Sequence, residues 1–218
     1  MTGRAGMLSG VVVAVLAASV APDRGRAQAP LTREQVLAAL ARATPQHPAD
    51  FTGKDLSGLD LAGVDFKRAN LTKCRLVRTN LAKAQLSSVT LTDAVATEAD
   101  FTAANLDVAV AYRVDLRRAV LRDASVFAVI LYDADLSDAD LSGARLIGPM
   151  NNAKAQRAKF IKANLGVDPG NQGMGIMRVD ASSVNFSGAD LTGANLRKVP
   201  IPWFPGSTPR FEIGRAHV

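Results

Sequence analysis

The chain offers few residues from which a catalytic or metal-binding site could be built. It contains one cysteine, Cys74, and two histidines, His47 and His217. One cysteine cannot form an intramolecular disulfide, and three such side chains are too few for a zinc site of Cys and His ligands. Catalysis needs a positioned nucleophile, base or metal ion. We therefore predict a protein that is not an enzyme and that takes no cofactor, metal or small-molecule substrate.

The remaining reactive side chains have structural explanations. Cys74 falls at a repeated position that small buried side chains usually occupy, so we expect a buried, unreactive thiol. The many Asp residues fall at positions expected to point outward, where their carboxylates can accept hydrogen bonds from nearby backbone amides. Such capping explains these carboxylates better than a catalytic pair does.

The composition favours one folded domain with a narrow core. The 218 residues carry a formal charge of +6 and are 48% hydrophobic but only 5% aromatic. Most of the hydrophobic residues are Ala, Leu and Val, which indicates a core of small and medium side chains. This hydrophobic content excludes intrinsic disorder of the whole chain.

Residues 1–29 have the pattern of a secretory signal peptide. Arg4 precedes an uncharged apolar run at 8–21, and Ala27 and Ala29 provide small residues at the spacing that a signal peptidase reads. The run is 14 residues long, shorter than the roughly 20 that a membrane-spanning helix needs. We predict export to the periplasm or out of the cell, with no stable membrane span after the signal is removed. An uncleaved inner-membrane tether is the alternative.

Residues 30–48 are predicted to form a capping helix and a linker. Thr32 and Gln35 have the spacing of a capping box, which places a helix from about Arg33 to Ala43. A single helix of three turns is not stable alone in water, so its apolar side must cover another part of the protein. That apolar side consists of Val36, Leu37 and Leu40.

Residues 49–148 repeat every five residues without a break. The central residue of each unit, called i below, is Leu or Phe in 17 of 20 units, from Phe51 to Leu146. Position i−2 is usually Ala, and position i−1 is mostly polar. A period of five fits neither a strand of period 2 nor a helix of period 3.6. We therefore predict a short strand in each unit, with i−2 and i facing inward, followed by a bend at i+1 and i+2.

Such a chain coils around its own core as a solenoid, and the charges indicate four units per coil. At a spacing of 20 residues the i+2 positions alternate in sign, and both tyrosines are also 20 apart. Stacked coils lie about 4.8 Å apart, so opposite charges would face each other. The two alternating columns are Lys73, Asp93, Arg113, Asp133 and Arg78, Glu98, Arg118, Asp138.

These units resemble the pentapeptide-repeat family, whose consensus A-[DN]-L-x-x is matched by the unit at 69–73, Ala-Asn-Leu-Thr-Lys. The resemblance implies an all-β fold, a right-handed, four-sided parallel β-helix with Leu or Phe along its axis. In this chain a short N-terminal capping α-helix would be added. The resemblance implies no catalytic residues, because the family is defined by its scaffold.

The repeat pattern is interrupted after residue 148. We expect irregular repeats and a loop rich in Gly and Met at 149–178, and C-terminal repeats at 179–203. A partner-contacting role is the alternative to a merely flexible loop. Trp203 and Phe204 are predicted to plug the open end of the solenoid.

A Pro-rich tail is predicted at 204–218. Its last six residues match one reading frame of a common sequencing adapter. We expect them to be foreign to the natural chain, which would then continue differently beyond Glu212.

One side of the predicted solenoid is the candidate partner-binding surface. Val110, Tyr112, Ile130 and Tyr132 would stack there, facing solvent. An exposed apolar and aromatic patch indicates a contact site. The alternative is that β-branched and aromatic side chains merely stabilise the stacked strands.

Together these features predict an exported, non-catalytic scaffold that mediates protein–protein interaction in the cell envelope. Its partner would be an unidentified protein or a second copy of the chain. The resemblance suggests one alternative, a DNA-mimicking regulator of a type II topoisomerase. Mimicry needs a strongly negative rod in the cytoplasm, whereas this chain is positive and is predicted to be exported. We expect no nucleic-acid partner.

Overall fold

The protein is described here by a computed structural model, and it consists of stacked backbone coils with a helix at one end. The described residues contain one helix, α1 (Arg33–Arg42), and two short strands, β1 (Ser125–Phe127) and β2 (Arg145–Ile147). In the other repeats, single bridge residues take the place of strands. The structure describes residues 30–166, 179–181, 183–197 and 199.

The coils contain twenty residues, as the sequence predicts. Parallel bridges join residues 20 apart, such as Asp50 with Asn70 and Asn70 with Thr90. Along the ladder, the amide of each residue i donates to the carbonyl of i−1 in the next coil, as Phe51 N does to Asn70 O at 2.8 Å. Each coil has four such bridging sites, so the tube has four faces. Tyr112 and Tyr132 are neighbours, which confirms the count of four units per coil.

Seven coils can be numbered along the tube. The four faces are numbered 1 to 4 in the order of the outward residues Asp50, Asp55, Asp60 and Asp65 of coil 1. Coils 1 to 7 comprise residues 49–68, 69–88, 89–108, 109–128, 129–147, 148–166 and 179–199.

The interior is filled by the residues at i and i−2. Leu56, Leu61 and Phe66 are fully buried, and most of the small residues at i−2 are buried as well. Ala111 and Val126, which replace Leu or Phe at i, also point inward. They border an apolar void of about 10 Å³, which has room for no ligand.

Asp and Asn at i−1 form the turns by accepting a hydrogen bond from the amide of i+1. Asp50 Oδ1 accepts from Thr52 N at 2.9 Å, and Asp100 Oδ1 accepts from Thr102 N at 2.8 Å. Residue i+2 then takes left-handed φ, for example 55° at Ala103, in the unit of Asp100. The predicted role of the outward Asp residues in backbone capping is confirmed.

Strands β1 and β2 lie on face 4, where the pairing extends over three residues instead of one. Ser125 and Arg145 stand at i−1 and are the first residues of the two paired segments. The chain stays extended through i+1, and the two segments pair in parallel. The amide of Phe127 donates instead to Asp107 Oδ1 of the preceding coil, at 3.1 Å.

Coil 5 is one residue shorter than the coils before it, and the repeats that follow it are regular through residue 166, whereas irregular repeats and a loop were predicted over 149–178. Asp135 bridges Lys154, 19 residues later, and Lys154 bridges Asn185, 31 residues later, so the faces stay in line. The chain accommodates the shorter coil at Gly148, whose φ is 154°. A Cβ there would overlap the carbonyl oxygen of Val129, so the position requires glycine.

Helix α1 closes the first edge of the tube, as predicted. Both capping-box bonds are present: Gln35 N donates to Thr32 Oγ1 at 3.3 Å and Thr32 N donates to Gln35 Oε1 at 2.8 Å. The helix ends at Arg42, one residue before the predicted end. Val36 and Leu40 are buried and Leu37 is partly buried.

Two hydrogen bonds attach this cap to otherwise unpaired carbonyls of coil 1. Leu31 N donates to Asp55 O, and Arg33 Nε donates to Asp60 O, both at 2.8 Å. Covering an open edge in this way blocks pairing with another chain. Within the part of the chain that is described, no helix has the length and apolar character to cross a membrane. The predicted signal, the loop at 167–178 and the predicted plug at Trp203 and Phe204 lie outside the described residues.

Candidate interaction surface

Face 1 changes from polar to apolar and back along the tube. Polar side chains cover coils 1 to 3, apolar and aromatic ones cover coils 4 and 5, and coils 6 and 7 become polar again after one proline. Its outward i−1 column is Asp50, Asn70, Thr90, Val110, Ile130, Pro149 and Asp180, and its i+1 column is Thr52, Thr72, Thr92, Tyr112, Tyr132 and Asn151.

The structure brings the four predicted site residues together. Val110 and Ile130 form a parallel bridge, and the rings of Tyr112 and Tyr132 lie 5.5 Å apart between centroids, tilted by 58°. All four side chains are partly exposed. We call this group the tyrosine patch. Its location on one face is confirmed, whereas its role in binding stays a prediction.

Val108 extends the apolar surface around the corner from face 1, and the sequence reasoning missed it. It is 56% exposed and has a φ of 62°. A β-branched residue in the left-handed region is a strained outlier, because its Cβ substituents crowd the backbone. The signal in the sequence was a bulky apolar residue at i+2, where most units carry a charged or small residue.

Phe127 is less accessible than its outward position suggested. The Arg145 guanidinium stacks over its ring, 4.1 Å from the centroid. Cation–π contacts of this kind hold an aromatic ring against a charged side chain. Phe127 is therefore covered on one side and adds less to the apolar surface than Val108 does.

Charged side chains at i+2 pair along the edges of face 2, as the alternating columns predicted. Glu98 lies between Arg78 and Arg118, with N···O distances of 2.7 and 2.8 Å. Hydrogen bonds from Arg78 and then from Arg118 lower the pKa of Glu98 below its ordinary value of 4.5. Arg157 of coil 6 continues this column by pairing with Asp138 at 2.6 Å.

The other column is only partly paired. Arg113 donates from Nε and Nη2 to the two oxygens of Asp93, at 2.6 and 2.9 Å. This bond lowers the pKa of Asp93, to which Lys73 adds only a weaker electrostatic attraction. Asp133 is the next member of the column, and its carboxylate makes no ion pair with the described residues.

Whole coils also alternate in charge, which the sequence reasoning did not detect. Coil 2 has four basic and no acidic residues, coil 3 four acidic and no basic ones, and coil 6 again four basic and no acidic ones. The net charges of coils 1 to 6 are −1, +4, −4, +2, −3 and +4. Along the tube, neighbouring coils therefore have net charges of opposite sign.

Cys74 is fully buried, as predicted. Burial raises the pKa of its thiol to about 12, and Sγ lies 3.1 Å from the carbonyl oxygen of Lys54. His47 is exposed before the first coil, and His217 lies outside the described residues. The described residues contain no cluster of three or more His, Cys, Asp or Glu that could hold a metal ion.

These features define the class of protein: a solenoid of stacked parallel coils whose interior is filled and whose varied chemistry lies on its outer faces. The chain belongs to the pentapeptide-repeat family, whose model, described as pentapeptide repeats, matches in eight copies over residues 49–87, 84–123 and 177–199. Proteins of this family are generally structural or interaction scaffolds. The structure continues the coils through 124–166, beyond the matched residues.

Similar solved structures are also pentapeptide-repeat proteins. HetL, involved in heterocyst differentiation regulation in the cyanobacterium Nostoc sp. strain PCC 7120, is 27% identical, with 70% of each chain covered and a TM-score of 0.32. Rfr23 from the cyanobacterium Cyanothece 51142 is 17% identical over 78% of this chain and 91% of its own, with a TM-score of 0.26. QnrB1, a plasmid-mediated fluoroquinolone resistance protein, is 18% identical over 69% and 73%, with a TM-score of 0.24. Comparison with curated proteins gave no match.

Proposed function

We propose that this chain is an exported, non-catalytic scaffold that binds a protein through the tyrosine patch in the cell envelope. The observation that carries the proposal is the patch itself. It is the stretch of face 1 where the outward side chains turn apolar and aromatic, while the coils on both sides keep polar ones. The proposal includes a right-handed coil, the hand that connections between parallel strands almost always take.

The chemistry of the patch suits a protein partner. Tyrosine is enriched in protein interfaces because it combines a large apolar ring with a polar hydroxyl, and tyrosine is also common among the residues that dominate binding energy. Tyr112 and Tyr132 already contact each other, so part of their ordering cost is met before a partner arrives. The exposed side chain of Val108 widens the surface around the corner.

DNA mimicry is less well supported than protein binding. A protein that imitates a duplex must present continuous negative charge along its length. The coils of this chain alternate in sign, and several of their acidic side chains already pair with arginine, as Glu98 and Asp93 do.

Export is supported by the sequence of residues 1–29 and is tested by cell fractionation. We expect the protein in the periplasmic or extracellular fraction, with a mature N-terminus at Pro30. Full-length protein found only in the cytosol would contradict export and would revive the topoisomerase alternative.

Binding through the patch is tested by photo-crosslinking in the producing cells. A photoreactive amino acid in place of Tyr112 should give covalent protein adducts, and the same residue in place of Arg117 on face 2 should not. Adding Tyr132→Ser should decrease the adducts from position 112 at least several-fold, while circular dichroism stays unchanged. Equal adduct patterns from positions 112 and 117 would contradict the proposed site.

A further inference from the structure

Face 1 is complementary to itself when one copy is turned end over end. We propose that the protein bound at the tyrosine patch is a second copy of this chain, packed antiparallel against face 1. This inference rests on the proposed function of the patch and names its partner. The twofold axis lies in the plane of face 1, perpendicular to the tube and parallel to the chain direction across that face, between coils 4 and 5.

The rotation pairs coil 4 with coil 5, coil 3 with coil 6 and coil 2 with coil 7, and it keeps each column of face 1 opposite itself. Tyr112 then faces Tyr132 of the second copy, and Val110 faces Ile130 of the second copy. Every contact occurs twice, as an isologous interface requires. The patch lies on the two central coils of this arrangement, so both copies bury the same apolar surface.

The same rotation pairs opposite charges at the corner between faces 1 and 2. Arg113 of coil 4 comes to face Asp133 of coil 5 in the second copy. Nε and Nη2 of Arg113 are bonded to Asp93, which leaves the Nη1 hydrogens for this contact. Asp133 lies next to Tyr132 and forms no ion pair with the described part of its own chain. At the opposite corner, strained Val108, which immediately precedes coil 4, faces the small apolar Ala128, which immediately precedes coil 5 of the second copy.

The charges of whole coils favour the antiparallel arrangement over a parallel one. Coil 3, with net charge −4, lies opposite coil 6, with +4, and coil 4, with +2, lies opposite coil 5, with −3. In a parallel dimer each coil would face the same coil of the second copy, so coils with net charges of the same sign would lie opposite each other. Like charges placed opposite each other oppose binding and thereby select the orientation.

The contact area indicates a weak dimer. One face is about three residues or ~10 Å wide, and six paired coils extend ~29 Å along the tube. A strip of this size offers about 300 Å² per copy, well below the roughly 800 Å² of a standard stable interface. We therefore expect association that depends on protein concentration and weakens as salt rises.

Two single-cysteine variants test the orientation directly. Thr92→Cys and Asn151→Cys lie in coils 3 and 6 of the i+1 column, so the antiparallel dimer places them opposite each other. Within one variant the two introduced thiols would lie about three coils or ~14 Å apart, too far for a disulfide. We expect an intermolecular disulfide only when the two variants are mixed. Buried Cys74 is common to both variants and serves as the internal control.

A charge reversal with a matched control tests the pairing at the corner. Asp133→Arg should weaken dimerisation of the full chain about tenfold in sedimentation equilibrium at low salt, because Arg113 would then face a like charge. Asp123→Arg makes the same change at an exposed i+2 position of face 3, also with left-handed φ, and should leave dimerisation unchanged. Mixing Asp133→Arg with Arg113→Asp should restore association, because both pairs are then opposite in sign.

The remaining outcomes show whether the dimer, the binding role of the patch or both are wrong. Disulfides within either single variant would show a parallel contact, and a dimer insensitive to all these changes would show a contact elsewhere; both overturn the inference. If the mixture stays monomeric while position 112 crosslinks a different protein, the second copy is the wrong partner and the patch remains a binding site. If position 112 crosslinks nothing, both proposals fail.

Discussion

Faces 1 and 2 have the same backbone but different outer chemistry. Both are ladders of parallel bridges 20 residues apart with buried residues at i and i−2. In its central coils face 1 exposes the tyrosine patch, whereas face 2 exposes ions paired nearby, such as Arg117 with Asp115 at 2.6 Å and Lys154 with Asp135 at 3.9 Å. The inward residues and the turns therefore determine the fold, whereas the outward residues can differ in chemistry without changing it.

The largest effect should come from the core that the two faces share. Leu71 behind face 1 and Leu76 behind face 2 are both fully buried. Leu71→Ala and Leu76→Ala should each lower the free energy of unfolding by about 2–5 kcal/mol, through lost burial and the cavity that remains. Denaturant titration of the two variants measures this. A loss at one position several times that at the other would show that the faces do not share one core.

A smaller effect should come from Val108, at the corner where the apolar surface of face 1 ends. Val108→Gly removes the strain of a β-branched residue at positive φ, so we expect the free energy of unfolding to rise by about 1 kcal/mol. The same change removes exposed apolar surface, and dimerisation should weaken. Thermal melting and sedimentation equilibrium measure the two effects. A variant that is less stable than the wild type would contradict the strain argument.

The five-residue period allowed most of the fold to be predicted. The period requires a turn in every unit, and the spacing of like and opposite charges showed that four units make a coil. The sequence reasoning located the interruption after residue 148 but predicted irregular repeats beyond it, because one residue is deleted near Gly148 and Pro149. A fixed five-residue frame loses phase there, whereas the hydrogen-bond ladder tolerates a coil of 19 residues.

The candidate site was only partly predictable. Tyr112 and Tyr132 could be placed together because spacing of one coil determines which residues stack. Exposure depends on neighbours that are distant in sequence, which a repeat pattern does not show. The Arg145 side chain covers Phe127 from the next coil, whereas Val108 stays open at a corner. The antiparallel match of face 1 also needed the coil boundaries, because it depends on the order of charged rings along the tube.

Face 2 should contribute only a small, salt-dependent part of the stability. Glu98→Gln removes the charge that Arg78 and Arg118 share, and all three side chains are largely or partly exposed to solvent. We expect a slightly lower Tm in dilute buffer and no difference at about 1 M salt, where the screening length is only ~3 Å. Dimerisation should stay unchanged, because Glu98 lies away from the tyrosine patch. A loss of dimerisation would contradict the separation of the two faces.

The smallest effect is the pH dependence of the difference in Tm between the wild type and Glu98→Gln. The pKa of Glu98 is lower in the folded protein than its ordinary value of 4.5, first because of the hydrogen bond from Arg78 and then because of that from Arg118. A carboxyl group whose pKa is lowered by folding stabilises the folded state fully above its unfolded pKa. It loses that contribution as the pH falls through the folded pKa. The two proteins should therefore differ in Tm at pH 6 and converge as the pH falls below 4.5 and through the lowered pKa of Glu98, where the wild-type side chain becomes neutral like glutamine. A constant difference across this range would show that Glu98 acts through packing rather than through its charge.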